Sequence, residues 1–175
     1  NIGAIGRRLF QMPLPWIFRL IWWNKFNLQK IVKKDFSLGI FLLIQLDILR
    51  ILPFKPSLII LSDQVNDLAV ALNNRVIITR FASFIKDTLH LDIALMTNNL
   101  PTTMQRLAEW KISPDYLLFP FNVDGYGMNP SKKDVEAYAS LINKEKIIAI
   151  VPKFNREESN YLSEYNISKT LVGWF

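Results

Sequence analysis

Cysteine is absent from these 175 residues, and histidine occurs once, as His90. Without a thiol the chain forms no disulfide framework and no thiolate metal site, a usage that fits a reducing compartment. With one imidazole, no cluster of histidines and carboxylates has the spacing of a metal centre. His90 lies between Leu89 and Leu91 and reads as structural. No nucleophile elbow, Walker loop or dinucleotide fingerprint occurs. Gly3-Ala4-Ile5-Gly6 precedes every predicted strand and so cannot be a Rossmann turn. Internal repeats and low-complexity tracts are also lacking. A long apolar run is missing too. The best candidate, Phe36 to Leu52, carries Asp47 and Arg50, and its uncharged part falls short of the roughly 20 residues that span a bilayer. It reads as a buried helix. These absences point to a chain that is not an enzyme and has neither metal nor cofactor.

Half of the residues are hydrophobic and 21% are charged, which suits one folded domain with a full core and excludes general disorder. The net charge of +6 is unevenly placed. Residues 1–35 hold Arg7, Arg8, Arg19, Lys25, Lys30, Lys33 and Lys34 against Asp35 alone, while the other 140 residues hold 14 basic and 14 acidic side chains. The division expected is therefore a basic extension, 1–35, ahead of a neutral domain, 36–175. The extension also carries Phe10, Trp16, Phe18, Trp22, Trp23 and Phe26. Cations neutralise phosphates and rings stack on exposed bases, a combination that suits RNA. The same residues would also serve as an amphipathic segment packed on the domain, or as a helix at a membrane surface.

Beyond Pro53 and Pro56 short β-rich runs alternate with helical patterns. The strands expected are 57–61, 75–79, 91–96, 116–119, 146–151 and 170–174. Helical stripes fall at Val65, Leu68, Ala69 and Leu72, at Met104, Leu107 and Ala108, and at Val135, Tyr138, Ala139 and Ile142. Ser131 with Asp134, and Asn155 with Glu158, have the spacing of helix N-terminal caps. Strands joined by helices require crossovers, and strands that are apolar throughout are covered on both faces. The fold class expected is α/β, with a mainly parallel sheet. Ligands of such sheets bind beyond the carboxyl ends of the strands. There the sequence has Ser62, Asp63, Arg80, Thr97, Asn98, Asn99, Asn122, Asp124 and Asn155. Asx residues at such places are chiefly turn formers and caps. Gly125-Tyr126-Gly127 reads as a turn or as a contact loop.

In Asp47–Leu107 a leucine-rich segment leads into Ser57-Leu58-Ile59-Ile60-Leu61-Ser62-Asp63, then Asn66 to Asn74, then Arg75-Val76-Ile77-Ile78-Thr79, then Ser83 to Thr97. This order resembles the C-terminal half of the large-subunit ribosomal protein L-four family. That family has a strand, a helix closing with asparagine, a second strand, a short helix and a strand ending in threonine. It also has a basic, glycine-containing extension that penetrates ribosomal RNA. Gly3 to Lys34 stands in that place, with Leu14-Pro15-Trp16-Ile17-Phe18 where the family has a dense run of glycine and arginine. The resemblance implies a structural ribosomal protein, in diverged form a mitochondrial one. Arg7, Arg8, Arg19, Lys25, Lys30, Lys33 and Lys34 would then contact RNA phosphates, with Trp16, Trp22 and Trp23 as stacking rings. The partners would be ribosomal RNA and neighbouring ribosomal proteins, with a membrane surface as the lesser alternative.

A second resemblance concerns the later residues. The spacing of strands and helices is similar to the C-terminal half of a TIM-barrel phosphodiesterase of the glycerophosphodiesterase type. Ile150-Val151-Pro152-Lys153-Phe154-Asn155 sits where that family has a strand and an asparagine turn. The family's metal-binding acids and histidines lie mostly in its first half and have no counterpart here, so this resemblance implies a degenerate, inactive relative. A third reading is a non-catalytic α/β subunit of an organelle membrane complex.

Overall fold

The computed structural model of the chain describes residues 14–24 and 36–173. The chain divides into two compact units, 1–57 and 58–175. The segment from Phe36 thus groups with the N-terminal residues rather than with the sheet.

In the first unit, helix α1 (Leu14–Asn24) and helix α2 (Phe36–Ile51) are followed by a short 3-10 turn, Leu52–Phe54. Leu20 packs with Leu46 and Leu49, and Trp23, Leu42, Leu43 and Leu52 surround them. One polar pair is buried between the helices. Asn24 donates to the Leu20 carbonyl at 2.9 Å and to Gln45 Oε1 at 2.7 Å. Left unpaired, a buried amide of this kind would cost about 1–3 kcal/mol. The expectation of a buried helix at Phe36–Leu52 needs correction. Only a third of the window Ser37–Phe54 is buried, at a mean hydropathy of 1.8. By length and composition alone, this helix could cross a membrane.

The second unit is an α/β sheet of five strands, all parallel, in the order β1-β2-β3-β4-β5. The strands are β1 (Leu58–Leu61), β2 (Asp92–Met96), β3 (Tyr116–Pro120), β4 (Ile147–Val151) and β5 (Thr170–Val172). Helices α3 (Asp63–Ala71) and α4 (Arg75–Ser83) lie between β1 and β2. Helix α5 (Leu100–Trp110) joins β2 to β3, α6 (Lys132–Leu141) joins β3 to β4, and α7 (Arg156–Glu164) joins β4 to β5. Because crossovers are right-handed, a strand order that always advances in one direction places every crossover on one face. That face is closed, since Ile59, Leu61, Ile93, Leu95, Leu117, Phe119, Ile147, Ala149 and Val151 are all buried. On the other face Ala94, Met96, Leu118 and Ile150 form the core, edged by the half-buried Leu58, Tyr116, Ile148 and Leu171. The sheet curls, and this second face behaves as an inner lining.

One expected strand is a helix. Arg75–Thr79 opens α4, and Ile77, Ile78 and Phe81 are buried on one side of it. The β-branched run favours a strand locally. Over a longer window, however, Ile77, Ile78, Phe81, Phe84 and Ile85 recur at helical spacing, and all five are buried. The chain enters α4 through a tight corner, with Asn73 at φ 52° and the Asn74 N–H bonded to the Ala69 carbonyl at 2.7 Å. It leaves through a π-turn, Phe84–Leu89, closed by the exposed His90 in the left-handed region. His90 therefore ends a helix.

Candidate functional site

Since all five strands run one way, the loops after them gather at one end of the sheet. The residues there come from Ser62–Asp63, Thr97–Asn99, the loop 121–131, and Pro152–Asn155. Arg80 does not join them. It lies on α4, because the strand that would have ended at Thr79 does not form.

The first cluster is centred on Asp67, one helical turn beyond Asp63 on α3. Its two oxygens accept from Thr97 Oγ1 at 2.6 Å and from the Asn98 N–H at 2.9 Å. The Asn98 side-chain amide donates to Asp63 Oδ2 at 2.6 Å. Thr97 Oγ1 also lies 2.8 Å from Thr103 Oγ1 and accepts from the Asn99 N–H at 3.0 Å. Thr97 and Thr103 are fully buried. Asn99 caps α5 by accepting from the Thr102 N–H at 3.2 Å. The carboxylates of Asp63 and Asp67 are thus spent on holding the β2–α5 loop.

The second cluster shapes the loop after β3. Fully buried Asn122 accepts from the Tyr126 N–H at 2.9 Å and donates to the Tyr126 carbonyl at 2.8 Å. Gly125 and Gly127 take positive φ, so Gly125-Tyr126-Gly127 is a closed turn. Its ring stays 60% exposed. Asp124 is exposed on the same loop. The Val123 N–H is held by both Glu158 oxygens, at 3.1 and 3.3 Å, and the Val123 carbonyl by Lys132 Nζ at 2.6 Å. Asn155 caps α7 by accepting from the Glu158 N–H at 2.9 Å, and Ser131 does the same for the Asp134 N–H at 3.2 Å, as their spacings predict.

Glu158 is only 4% exposed. Burial pushes its carboxyl pKa up, against the Val123 N–H, and Asp124 and Glu157 add to the rise. Tyr161 stacks on Phe121 at 5.2 Å and donates to Glu136 Oε1 at 2.7 Å. Burial first, and then that bond, raise its phenol above the ordinary range. Lys132 Nζ lies 4.6 Å from the Tyr161 ring centre. Next to this packed cluster the β4–α7 loop presents Lys153 and Phe154, the latter 55% exposed. The surface of this end therefore combines rings, amides and a cation over a rigid base.

Among the described residues, no group of three or more His, Asp or Glu side chains is arranged to hold a metal ion. An apolar cleft of about 240 Å³ lies elsewhere, between α5 and the start of β3, lined by Met104, Leu107, Ile112, Leu117 and Ile142. It has little of the convergent polar chemistry of a ligand site.

The residues expected to contact nucleic acid fall in the first unit. Arg19 is exposed, Trp22 is 68% exposed, and Trp23 is half-buried with the Arg19 guanidinium 5.1 Å from its ring centre. Trp16 falls within α1. Arg7, Arg8, Lys25, Lys30, Lys33 and Lys34 lie outside the described residues.

Sequence reading missed Asp67, and gave Glu158 only as the capping partner of Asn155, not as the group that holds the Val123 N–H. Each had a signal, Asp67 by its four-residue offset from Asp63 and Glu158 as the third residue of a capped helix. No family model, curated protein or solved structure matches the chain.

Proposed function

We propose that residues 58–175 form a (β/α)-barrel-type sector that binds a small phosphodiester or polyol ligand at the carboxyl ends of its strands, without supplying the groups that cleave it. The observation that carries this reading is the unbroken parallel order β1-β2-β3-β4-β5. A doubly wound sheet reverses its strand order at a switch point. A barrel advances strand by strand, and its ligands meet the loops beyond the carboxyl ends. The resemblance of Ile150–Asn155 to the glycerophosphodiesterase type fits the same order. Titrating the whole chain with glycerophosphocholine tests it by amide chemical shifts. Shifts should centre on 62–63, 97–99, 122–127 and 153–155. Shifts elsewhere, none at all, or metal-dependent cleavage of the ligand would count against this reading.

The ribosomal reading is the second proposal. It is favoured by the placement of the whole net charge in residues 1–35 and by the exposure of Arg19 and Trp22 on α1. The helix at Arg75–Ser83 stands where the resemblance to the L-four family implies a second strand, so one of its supports is gone. Co-sedimentation with mitochondrial ribosomal particles, lost on deleting residues 1–35, would favour this second reading.

A further inference from the structure

The first unit exposes apolar side chains in two places. On α1, Phe18, Ile21 and Trp22 are 69%, 47% and 68% exposed. They are three and four residues apart and so share one helical face. The opposite face, Leu20 and Asn24, is the one packed on α2. Ile51 at the end of α2 and Phe54 in the turn after it are 41% and 84% exposed. Single exposed apolar side chains need no explanation, but a grouped set on one unit marks a docking surface. The same unit holds the entire excess of positive charge, seven basic residues against one acid in 1–35.

We propose that residues 1–57 dock this protein on an anionic phospholipid bilayer, with Phe18, Ile21 and Trp22 entering the acyl boundary and the basic side chains meeting the lipid phosphates. The chemistry favours lipid over RNA. Bases stack on rings, but the exposed Ile21 and Ile51 neither stack nor pair, whereas an acyl boundary accepts aromatic and aliphatic groups alike. A second copy would bring one strongly basic segment against another. The docking is at the surface rather than across the bilayer. Helix α2 is long and apolar enough to cross a membrane by length and composition alone, but Leu46 and Leu49 are packed on Leu20 of α1 and Gln45 accepts from Asn24, so one of its faces is already taken by protein. It also carries Asp47 and Arg50, paired at 3.8 Å.

Flotation of the full chain with phosphatidylcholine vesicles, with and without phosphatidylglycerol, tests this. The wild type floats with the anionic vesicles. F18S/I21S/W22S partitions about tenfold or more weakly, with an unchanged circular dichroism spectrum. Phe18→Ser alone, at a side chain too exposed to support the fold, gives a smaller loss in the same direction. Raising salt weakens the binding without abolishing it, because the apolar part persists. Failure to float, equal flotation of the wild type and both variants, or binding to single-stranded RNA in place of vesicles would overturn the proposal.

Discussion

Asp67 holds two donors of the next strand's loop, the Thr97 hydroxyl and the Asn98 N–H. Asp67→Ala takes this acceptor from the buried Thr97 hydroxyl and the half-buried Asn98 N–H, a loss of about 1–3 kcal/mol, to be read as a lower urea midpoint with an unchanged slope. Glu158 gives a pH signature. Its folded pKa lies above the ordinary 4.5, so the fold favours its neutral form. The stability it contributes is complete below the unfolded value and is lost as pH rises through the folded one. Glu158→Gln keeps an acceptor for the Val123 N–H and removes the titration. Wild type should therefore lose stability relative to this variant as pH rises from about 4.5 towards neutrality, measured by thermal melts across that range. A constant difference between the two would refute the assignment. Asp67 escaped the sequence, and Glu158 showed there only its capping role, because the contacts that matter are tertiary. Asp67 looks like any surface helix acid until Thr97 is placed beside it.

At the scale of elements, five of the six expected strands form, because runs such as Ile147-Ile148-Ala149-Ile150-Val151 leave period and propensity in agreement. Arg75–Thr79 is where they disagree. Within this β-prone run, Ile77 and Ile78 belong to an apolar stripe that extends to Ile85, and burial of that stripe outweighs local preference. Ile78→Ala should cost about 2–5 kcal/mol in chemical unfolding, since its side chain is fully buried. A surface-like loss of a few tenths would mean that α4 is not seated as described. The candidate site was legible in part. Asn99, Asn122 and Asn155 could be placed at strand ends from the sequence, and their duties as caps and loop staples follow from the hydroxyls, amides and carboxylates that face them. Arg80 could not be placed, because its position depended on the strand that does not form.

For the whole molecule, the uneven charge in the sequence and the division into two units do not share a boundary. Charge changes at residue 35, whereas compactness changes at 57. The apolar helix between them falls in the same unit as the basic segment. Within the sheet, protection should follow position. Amides of β2, β3 and β4, flanked on both sides, should exchange slowest, and those of the three-residue edge strand β5 fastest.

The two ends of the sheet are fastened by different forces. At the amino ends, Lys86 Nζ bridges Asp92 at 3.2 Å and Asp115 at 2.6 Å, and Asp115 also accepts from the Ile93 N–H at 2.8 Å. Hydrogen bonding to Asp115 raises the Lys86 pKa despite some burial. At Asp115, burial opposes ionisation, but the Ile93 N–H and Lys86 outweigh it and hold the pKa low. At the carboxyl ends, carboxylates bind neutral hydroxyls and amides. Dissolved ions screen the first kind of fastening and barely touch the second. Ionic strength thus becomes a directional lever on this sheet. Between low and high salt, exchange at the Ile93 amide should quicken while that at Asn98 holds steady.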